Sequence, residues 1–432
     1  MIRRPNIVYF HTHDTGRYIE PYGAPVRSPR LQEFAEHAVV FRNAHAVAPT
    51  CSPSRAGLLT GQWAHSSGML GLAHHGHRLD DYGRHLVPLL HRHGYTSALV
   101  GVQHEAGGAD GPATIGYHEH LRTSTRLAPS HREAAIEYLR RTHDQPFFLS
   151  VGMVETHILP IDGWVFGHPA VDDRWTAPAP TMPSTPRTRR DMASFQAALL
   201  QVDQTLGAIV DTLATQGLLD DTLILVTTDH GIAMPQMKCT LSAHGTGVML
   251  MMRGAGLPAG LGLDQLVSQV DVVPTLCAYL GLEPPSWLQG HSLLPALDGR
   301  VVREETFAEV TFHVAYEPQR AVRTDRWSYI RRFDDRTRPT LPNVDDSPSK
   351  DLWVDGGWAD RPVAGERLHD LLLDPHEATN LIDQPAHATT LADLRDRLGR
   401  WMVDTADPIL QGPIPAPPGF PAKDPDAISP ED

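Results

Sequence analysis

The stretch Thr222–Gly231, which reads TLILVTTDHG, is a run of β-branched and apolar residues that stops at Asp229 and His230. A continuous apolar run of this length is typical of a strand buried on both faces of a sheet. Four more such runs occur earlier or later in the chain: Pro5–Phe10, Thr96–Val102, Pro146–Val154 and Val248–Arg253. Helical patterns lie between them: Pro29–His37, Arg55–Gly61, His131–Thr142 and Asp191–Gln216. This alternation predicts an α/β fold, with helices on both faces of a large, mixed but mainly parallel sheet.

Imidazole, carboxylate and amide side chains follow four of the predicted strands, at the point where each strand ends. They are His11, His13 and Asp14 after the first strand, Gln103 and His104 after the second, His157 after the third, and Asp229 and His230 after the fourth. Parallel α/β sheets bind ligands beyond the carboxyl ends of their strands. We therefore expect these side chains to meet in one site.

The pattern changes near residue 310. The segments ETFAEVTF and QRAVRTDRWSYIRRF read as short antiparallel strands, and Leu391–Ala406 reads as a closing amphipathic helix. We predict a main domain over residues 1–310 and a smaller C-terminal α+β domain over residues 311–410. The Pro-rich residues 411–432 are expected to form an extended or disordered tail, or an arm onto a neighbouring subunit of a homo-oligomer.

Composition excludes several classes of partner. The chain has 432 residues and a formal net charge of −14, which argues against nucleic acid but leaves a small anionic substrate open. Because we find neither a leader-like segment nor an apolar run long enough to span a bilayer, we expect no membrane association and a cytoplasmic location. The three cysteines are far apart in sequence and suggest no disulfide framework.

Cys51 opens the sequence CSPSR at a predicted helix start. Pro53 suits the first turn of a helix, and the free N–H groups and positive dipole end at that place favour an anion. Arg55, one turn later, adds a cation with bidentate geometry. We interpret Cys51 as a nucleophile, or the precursor of one, that faces an anionic substrate; the alternative is a cysteine that only packs at the helix start.

Lysine is scarce in this chain. It occurs only at Lys238, Lys350 and Lys423, among 37 Lys and Arg residues. Because this chain uses arginine at nearly all of its cationic positions, a lysine that is kept is expected to have a specific role. A codon bias against lysine would produce the same scarcity. Lys238, which lies eight residues after His230, is therefore a candidate for the site.

The motif CSPSR followed by LLTG resembles the signature of the sulfatase family, within the alkaline-phosphatase superfamily. LLDDTLILVTTDHG and LHDLLLDPHEATNLI are similar to further segments of that family, and GMLGL, PFFLSVGM and RWMVDTADP are most similar to its heparan N-sulfatase (sulfamidase) branch. The resemblance implies an alkaline-phosphatase-like fold. It also implies that a formylglycine-generating enzyme oxidises Cys51 to formylglycine, whose hydrate attacks sulfur.

The resemblance further implies one divalent metal, held by the positions that match His13, Asp14, Asp229 and His230. The family uses oxygen ligands and calcium at this site, whereas here two of the four positions are histidines. Calcium prefers oxygen ligands, and imidazole suits Mn, Fe or Zn. The identity of the metal therefore stays open.

By the same resemblance, Lys238 and His157 contact the substrate oxyanion, His157 is a candidate general acid, and His104 polarises the formylglycine hydrate. One departure is GVQH at Gly101–His104, where the family has a lysine and this chain has Val102. We expect another side chain to supply the missing cation or a hydrogen bond. The candidate substrate-binding residues are His11, His74, His75, His77 and Gln103.

The sequence thus predicts a hydrolase of sulfate esters or sulfamates with Cys51, Arg55, His104, His157 and Lys238 as its catalytic residues. The first alternative is a phosphonate monoester or phosphodiester hydrolase of the same superfamily, which the two metal-site histidines favour. The second is an inactive binding homologue, which the histidines at the metal positions and Val102, where the family has a lysine, both favour.

Overall fold

The computed structural model describes residues 4–159, 166–421 and 423–431. Its described strands form two sheets. The larger has eight strands in the order β4-β3-β5-β1-β6-β7-β2-β8. These strands are β1 Asn6–Thr12, β2 Val39–His45, β3 Thr96–Gly101, β4 Glu119–Leu121, β5 Phe147–Gly152, β6 Thr222–Thr228, β7 Leu250–Arg253 and β8 Leu261–Ser268. All described pairings in this sheet are parallel except those of β7, so the predicted mixed, mainly parallel sheet is confirmed.

The smaller sheet is antiparallel, with the order β12-β11-β10-β9. Its strands are β9 Glu305–Phe312, β10 Tyr316–Thr324, β11 Trp327–Arg332 and β12 Glu366–Asp370. The described α-helices are α1 Pro29–Ala35, α2 Cys51–Thr60, α3 Ala64–Ser67, α4 Leu86–His91, α5 Gly111–Ile115, α6 Ala128–Leu139, α7 Pro186–Thr215, α8 Ala243–Thr246, α9 Val272–Leu280, α10 Pro348–Asp355 and α11 Ala388–Asp404. The division into domains at residue 310 stays a prediction.

The central strand β1 has a buried layer on each of its faces. Val8 and Phe10 pack in one apolar cluster with residues of α1, α6 and α7, and Ile7 and Tyr9 pack in a second with residues of α4 and α9. This is the alternation that the two faces of a strand impose. The strand is therefore fixed from both sides, which sets the position of the residues that follow it.

Four helices, namely α2, α6, α7 and α11, begin earlier than the sequence pattern predicts, and two of them show why. α7 begins at Pro186 rather than Asp191, because Thr185 caps it by accepting a hydrogen bond from the Thr188 N–H, and Pro186 fits the first turn. α2 begins at Cys51 rather than Arg55. The second difference matters, since it makes Cys51 itself the first residue of the helix.

The two sheets meet through a buried joint. Trp63 packs edge-on against Trp401 and Phe307, with ring centroids 5.5 and 5.9 Å away. Nearby, His65 Nδ1 lies 2.8 Å from Glu309 Oε1, and Arg320 is paired with both Glu309 and Asp407. The joint fixes the smaller sheet against the helices that carry the site.

The segment that follows α11 lies against its own chain over the residues described. The Phe420 ring contacts the rings of His75, His77 and Phe312, at centroid distances of 5.8, 5.6 and 5.3 Å. The Lys423 N–H donates to the Val314 carbonyl. None of the helices in residues 4–159, 166–421 and 423–431 is both long and apolar enough to cross a bilayer.

Candidate active site

The four strands that the sequence associates with polar ends are neighbours in the sheet, in the order β3-β5-β1-β6. Because they run parallel, their carboxyl ends lie at one edge. His13 and Asp14 follow β1, His104 follows β3, and His157 follows β5. The His13 ring lies 5.7 Å from that of His104 and 5.6 Å from that of His157. The side chains that follow these strands therefore meet at one edge of the sheet, as the sequence predicts.

Asp229 holds the two loops after β1 and β6 together. Its Oδ1 accepts hydrogen bonds from the backbone N–H of Asp14 and of His230, at 2.8 and 2.9 Å. Its Oδ2 lies 3.0 Å from Arg55 Nη2 and 3.2 Å from His13 Nδ1. Burial raises the pKa of this carboxyl, but the charges of His230 and Arg55 outweigh burial and hold the pKa well below its usual range. Asp229 is therefore a carboxylate.

A cluster of metal-binding groups lies around Asp229. One ligand atom from each of His13, Asp14, Cys51 and Asp229 falls within 4.8 Å of the others, and all four residues are buried. His230 Nε2 is 3.2 Å from Asp14 Oδ1. Among the described residues, neither Asp14 Oδ1 nor His13 Nδ1 has a hydrogen-bond partner in good geometry, although His230 Nε2 and Asp229 Oδ2, respectively, lie 3.2 Å from them. Buried polar atoms left in this way fit a site for a cation.

The four residues expected to hold the metal, Asp14, Asp229, His13 and His230, offer two carboxylates and two imidazoles. Burial, followed by the charge of Arg55, lowers the pKa of His13 to about 4, so its ring is neutral and able to bind a metal at neutral pH. Mixed oxygen and nitrogen donors suit Mn, Fe or Zn better than calcium. The residues present therefore fit a divalent metal.

Cys51 lies beside the cluster, with its Sγ 3.3 Å from His230 Nε2. It is 1% exposed, and burial raises the pKa of its thiol well above the ordinary value. The unmodified residue is therefore a thiol rather than a thiolate at neutral pH. A thiol in that state is a poor nucleophile.

Arg55 faces the protein's own groups. Its Nη2 donates to the Thr12 carbonyl at 2.8 Å and to Asp229, and its Nη1 pairs with His11 Nδ1. The guanidinium therefore orients Asp229 and His11. Its expected contact with a substrate stays a prediction.

Lys238 lies on the other side of Asp14. Its Nζ is 3.0 Å from Asp14 Oδ2, 2.7 Å from Asp345 Oδ2 and 3.4 Å from His157 Nε2. Burial lowers the pKa of the Lys238 ammonium, but Asp14 and Asp345 outweigh burial and raise that pKa well above the ordinary value. His157 Nδ1 lies 2.6 Å from the Ile158 carbonyl, and this contact leaves Nε2 as the end that faces Lys238.

Two of the predicted substrate-binding residues are already occupied by the protein. His11 is 1% exposed, stacks on Tyr9 and pairs with Arg55 and Ser150, and burial lowers its pKa well below the ordinary value. A neutral His11 ring adds no positive charge near Val102 in the substrate-free protein, and its role toward a substrate stays a prediction. Gln103 donates to the Ala106 carbonyl and accepts from two backbone N–H groups of its own loop, so its amide stabilises that loop instead.

The other three predicted substrate-binding residues, His74, His75 and His77, lie next to one another at the edge of the site, which we call the rim. His74 Nδ1 lies 2.9 Å from His104 Nε2, while His75 and His77 contact Phe420. Burial lowers the pKa of both His74 and His77 to about 4, and it also lowers the pKa of His75. At neutral pH these rings are therefore neutral. In the substrate-free protein they do not replace the positive charge that the family's lysine would supply at the position of Val102.

Sequence reasoning missed Asp345 and His313, which reach the site from the part of the chain around the smaller sheet. Asp345 follows a short helical turn at Leu341–Asn343, and His313 follows β9. The charges of Lys238 and Asp345 both act on the buried His313 ring, whose pKa burial lowers well below the ordinary value. No motif marks either residue, because only the packing of the two sheets brings them near Lys238.

Comparison with known proteins agrees with this geometry. A family model described as Sulfatase matches residues 5–282. Human N-sulphoglucosamine sulphohydrolase is 27% identical over 448 residues, which cover 90% of this chain and 88% of that protein.

Two solved structures share the fold. BT4656 in complex with its substrate D-glucosamine-2-N,6-O-disulfate has a TM-score of 0.73 at 18% identity, covering 95% of this chain and 99% of that one. Phosphonate monoester hydrolase of Agrobacterium radiobacter has a TM-score of 0.71 at 20% identity, covering 93% and 96%. The family model spans more than half of the chain, and the structural likeness extends over nearly all of it. The chain belongs to the sulfatase family.

Proposed function

We propose that this chain hydrolyses a sulfate ester or a sulfamate at the carboxyl edge of the larger sheet. The observation that supports this most directly is the position of Cys51. Its Sγ lies among the ligand atoms of His13, Asp14 and Asp229, within 4.8 Å of each. Lys238 and His157 lie on the far side of Asp14, where they could contact the anionic group of a substrate that is attacked by residue 51. Human N-sulphoglucosamine sulphohydrolase, which this chain resembles, supports the sulfamate alternative by its name.

Residue 51 is the proposed nucleophile in an oxidised form. Formylglycine at this position would supply a hydrated aldehyde, whose oxygen attacks sulfur while the S–O or S–N bond to the leaving group breaks. The high thiol pKa of Cys51 argues for this conversion, because the buried thiol itself is a poor nucleophile. His104, half-buried beside His74 and within 4.8 Å of Cys51, would take a proton from residue 51 and so expel sulfate.

The metal would be held by His13, Asp14, Asp229 and His230. Bound there, it would polarise the oxygens around sulfur and stabilise the charge that develops on them. Lys238 donates to the transferred group, and His157 Nε2 delivers a proton to the leaving oxygen or nitrogen. Arg55 keeps Asp229 in place for these steps.

A phosphonate monoester or phosphodiester hydrolase is the second candidate. The imidazoles of His13 and His230 in the metal cluster favour it, since they depart from the all-oxygen ligand set that calcium prefers. The nucleophile, Lys238 and His157 would keep the same roles. Phosphorus would replace sulfur as the atom attacked.

The proposal extends to the partners. The substrate is a small anion, such as a sulfated sugar, aryl or alkyl compound, and a formylglycine-generating enzyme acts on Cys51. We also propose a cytoplasmic location, and a C-terminal α+β domain over residues 311–410 that follows the catalytic domain. Homo-oligomerisation is an open part of this proposal.

The test compares an aryl sulfate, an aryl phosphonate monoester and an aryl phosphodiester that share one leaving group. The protein is produced together with a formylglycine-generating enzyme and assayed with calcium or manganese. We expect the sulfate to be turned over fastest, and Cys51→Ala to lose turnover while its circular dichroism and melting temperature are retained.

Three other outcomes would contradict parts of this proposal. A lead for a phosphorus substrate would replace the sulfatase proposal by the second candidate. Full activity in Cys51→Ala would contradict the assignment of the nucleophile. A purified protein without turnover and without a stoichiometric metal would identify an inactive binding homologue.

A further inference from the structure

Asp345 is an acidic group in a site that otherwise fits an anion. Its carboxylate is 2.7 Å from Lys238 Nζ, and one ligand atom from each of Asp14, His157 and Asp345 lies within 4.8 Å of the others. The Asp345 side chain is 19% exposed, whereas that of Lys238 is fully buried. Asp345 thus lies at the mouth of the site, in contact with a cation that the proposed reaction uses.

The position of Asp345 is fixed by its neighbours. Two residues earlier, Asn343 accepts hydrogen bonds from the N–H groups of Val314 and Ala315 through its side chain. The Asn343 carbonyl accepts from the Cys239 thiol, at 3.1 Å, and Cys239 is next to Lys238 in sequence. The segment is therefore bonded both to the β9–β10 turn and to the loop that carries Lys238.

The charge of Lys238 is already balanced in this arrangement. An ammonium has three N–H donors, and two of them point at the carboxylates of Asp14 and Asp345. The third faces His157 Nε2, which lies 3.4 Å from Lys238 Nζ, and a substrate oxygen bound to Lys238 would take the place of that ring nitrogen. Because two oxygens on one ammonium lie about 4.5 Å apart at ordinary hydrogen-bond lengths, a substrate oxygen bound there would lie close to the negative charge of Asp345.

We propose that Asp345 makes this site select the charge of the transferred group, admitting a monoanion and rejecting a dianion. A sulfate ester, a sulfamate, a phosphodiester and a phosphonate monoester can all react as monoanions. A phosphate monoester carries a second negative charge above its second pKa, which is about 6, and Asp345 repels that charge. The absence of a lysine at Val102 acts in the same direction, since it removes one cation from the site.

This inference rests on the proposed function in one respect, namely that the substrate anion meets Lys238. It holds for either the sulfur or the phosphorus chemistry. In this role Asp345 determines specificity. Its effect is therefore measured as the ratio of kcat/KM between a dianionic and a monoanionic substrate.

The test measures kcat/KM for an aryl phosphate and an aryl sulfate with one leaving group, at pH 8. In Asp345→Asn, which keeps the size of the side chain and loses its charge, we expect the ratio of phosphate to sulfate turnover to rise at least tenfold. Asp345→Glu keeps the charge and should keep the wild-type ratio. Asp346→Asn is the matched control, because Asp346 is exposed and pairs with Lys350 and Ser429 outside the site.

A binding measurement makes the result independent of turnover. Methyl sulfate and methyl phosphate have the same shape but carry one and two charges at pH 8, and their affinities are measured by calorimetry on manganese-loaded Cys51→Ala, with and without Asp345→Asn. We expect Asp345→Asn to strengthen methyl phosphate binding at least tenfold relative to methyl sulfate. Equal ratios with and without the substitution would overturn the inference, even if the wild type proves inactive. Turnover of the sulfate with an unchanged substrate ratio in Asp345→Asn would overturn it while leaving the proposed function in place.

Discussion

At the scale of single residues, Lys238 decides the balance of charge in the site. It is fully buried between Asp14 and Asp345, and it is one of the few lysines in the chain. Removing one member of a buried ion pair usually costs more than the pair contributes, because the partner's charge is left without compensation. Lys238 is therefore a structural as well as a proposed catalytic cation.

We expect Lys238→Met to lower the free energy of unfolding by about 3–5 kcal/mol, the usual cost of breaking a buried pair. Adding Asp345→Asn should recover part of this loss, since it removes one of the two carboxylates left unpaired. Urea unfolding of the wild type, both single variants and the double variant measures the coupling. If Lys238→Met were as stable as the wild type, the ammonium would not be needed to hold the two carboxylates.

The residues that sequence could identify are those that follow a buried strand. His13, Asp14, Asp229 and His230 were predictable in this way, because parallel strands bring their carboxyl ends to one edge. The substrate-binding roles of His11 and Gln103 stay predictions, and in the structure neighbours at hydrogen-bond distance already use their polar atoms. Local sequence gives no sign of such partners.

At the scale of elements, the site depends on how closely β3 and β5 approach at their carboxyl ends. A Cβ added to Gly152, the last residue of β5, would lie 1.8 Å from the Val102 carbonyl oxygen and 2.7 Å from His11 Cε1. The obstacle is backbone, which cannot rotate away. Only glycine allows the loop that carries His104 to leave β3 beside β5.

Gly152→Ala is expected to destabilise the fold by about 1–3 kcal/mol through overpacking, and to reduce kcat because the backbone before His104 must move. Gly399→Ala is the matched control. Gly399 lies inside α11, and apart from its chain neighbours and the helix's own backbone no described atom comes within 4 Å of an added Cβ. Alanine there should stabilise the helix by about 0.5–1 kcal/mol. Thermal and urea unfolding measure both, and equal stabilities for the two variants would contradict the packing argument.

Elements were predictable where apolar runs were continuous, as in β6, whose bounds match the predicted Thr222–Thr228. The sequence pattern is weaker for β2 and β8, where polar residues interrupt the strands. These strands are completed by pairing with each other and with β7. Long-range pairing of this kind overrides local preference.

At the scale of the whole molecule, the smaller sheet completes the site that the larger one begins. Asp345 and His313 come from the region of the smaller sheet, and Phe420 covers the rim on which His75 and His77 lie. The joint through Trp63 and Trp401 keeps these parts in register. The sequence patterns predict each sheet separately. They do not predict which turns of the smaller sheet face the larger one.

We expect Phe420→Ala to raise KM severalfold with little change in kcat. Without the phenyl ring, the loop with His75 and His77 loses contacts worth about 1 kcal/mol, and its neighbour His74 is less firmly held against His104. Steady-state kinetics and a melting curve measure the two effects. An unchanged KM would mean that this aromatic contact does not shape the substrate site.

Burial of α2 sets an order of events in time. All ten residues of this helix are buried, and Cys51 is 1% exposed. The proposed formylglycine-generating enzyme would therefore reach the CSPSR segment only while the chain is still unfolded, so that oxidation and folding would compete from the moment of synthesis. A molecule that folded before this oxidation would keep its thiol, and the active fraction of a preparation would be set during synthesis.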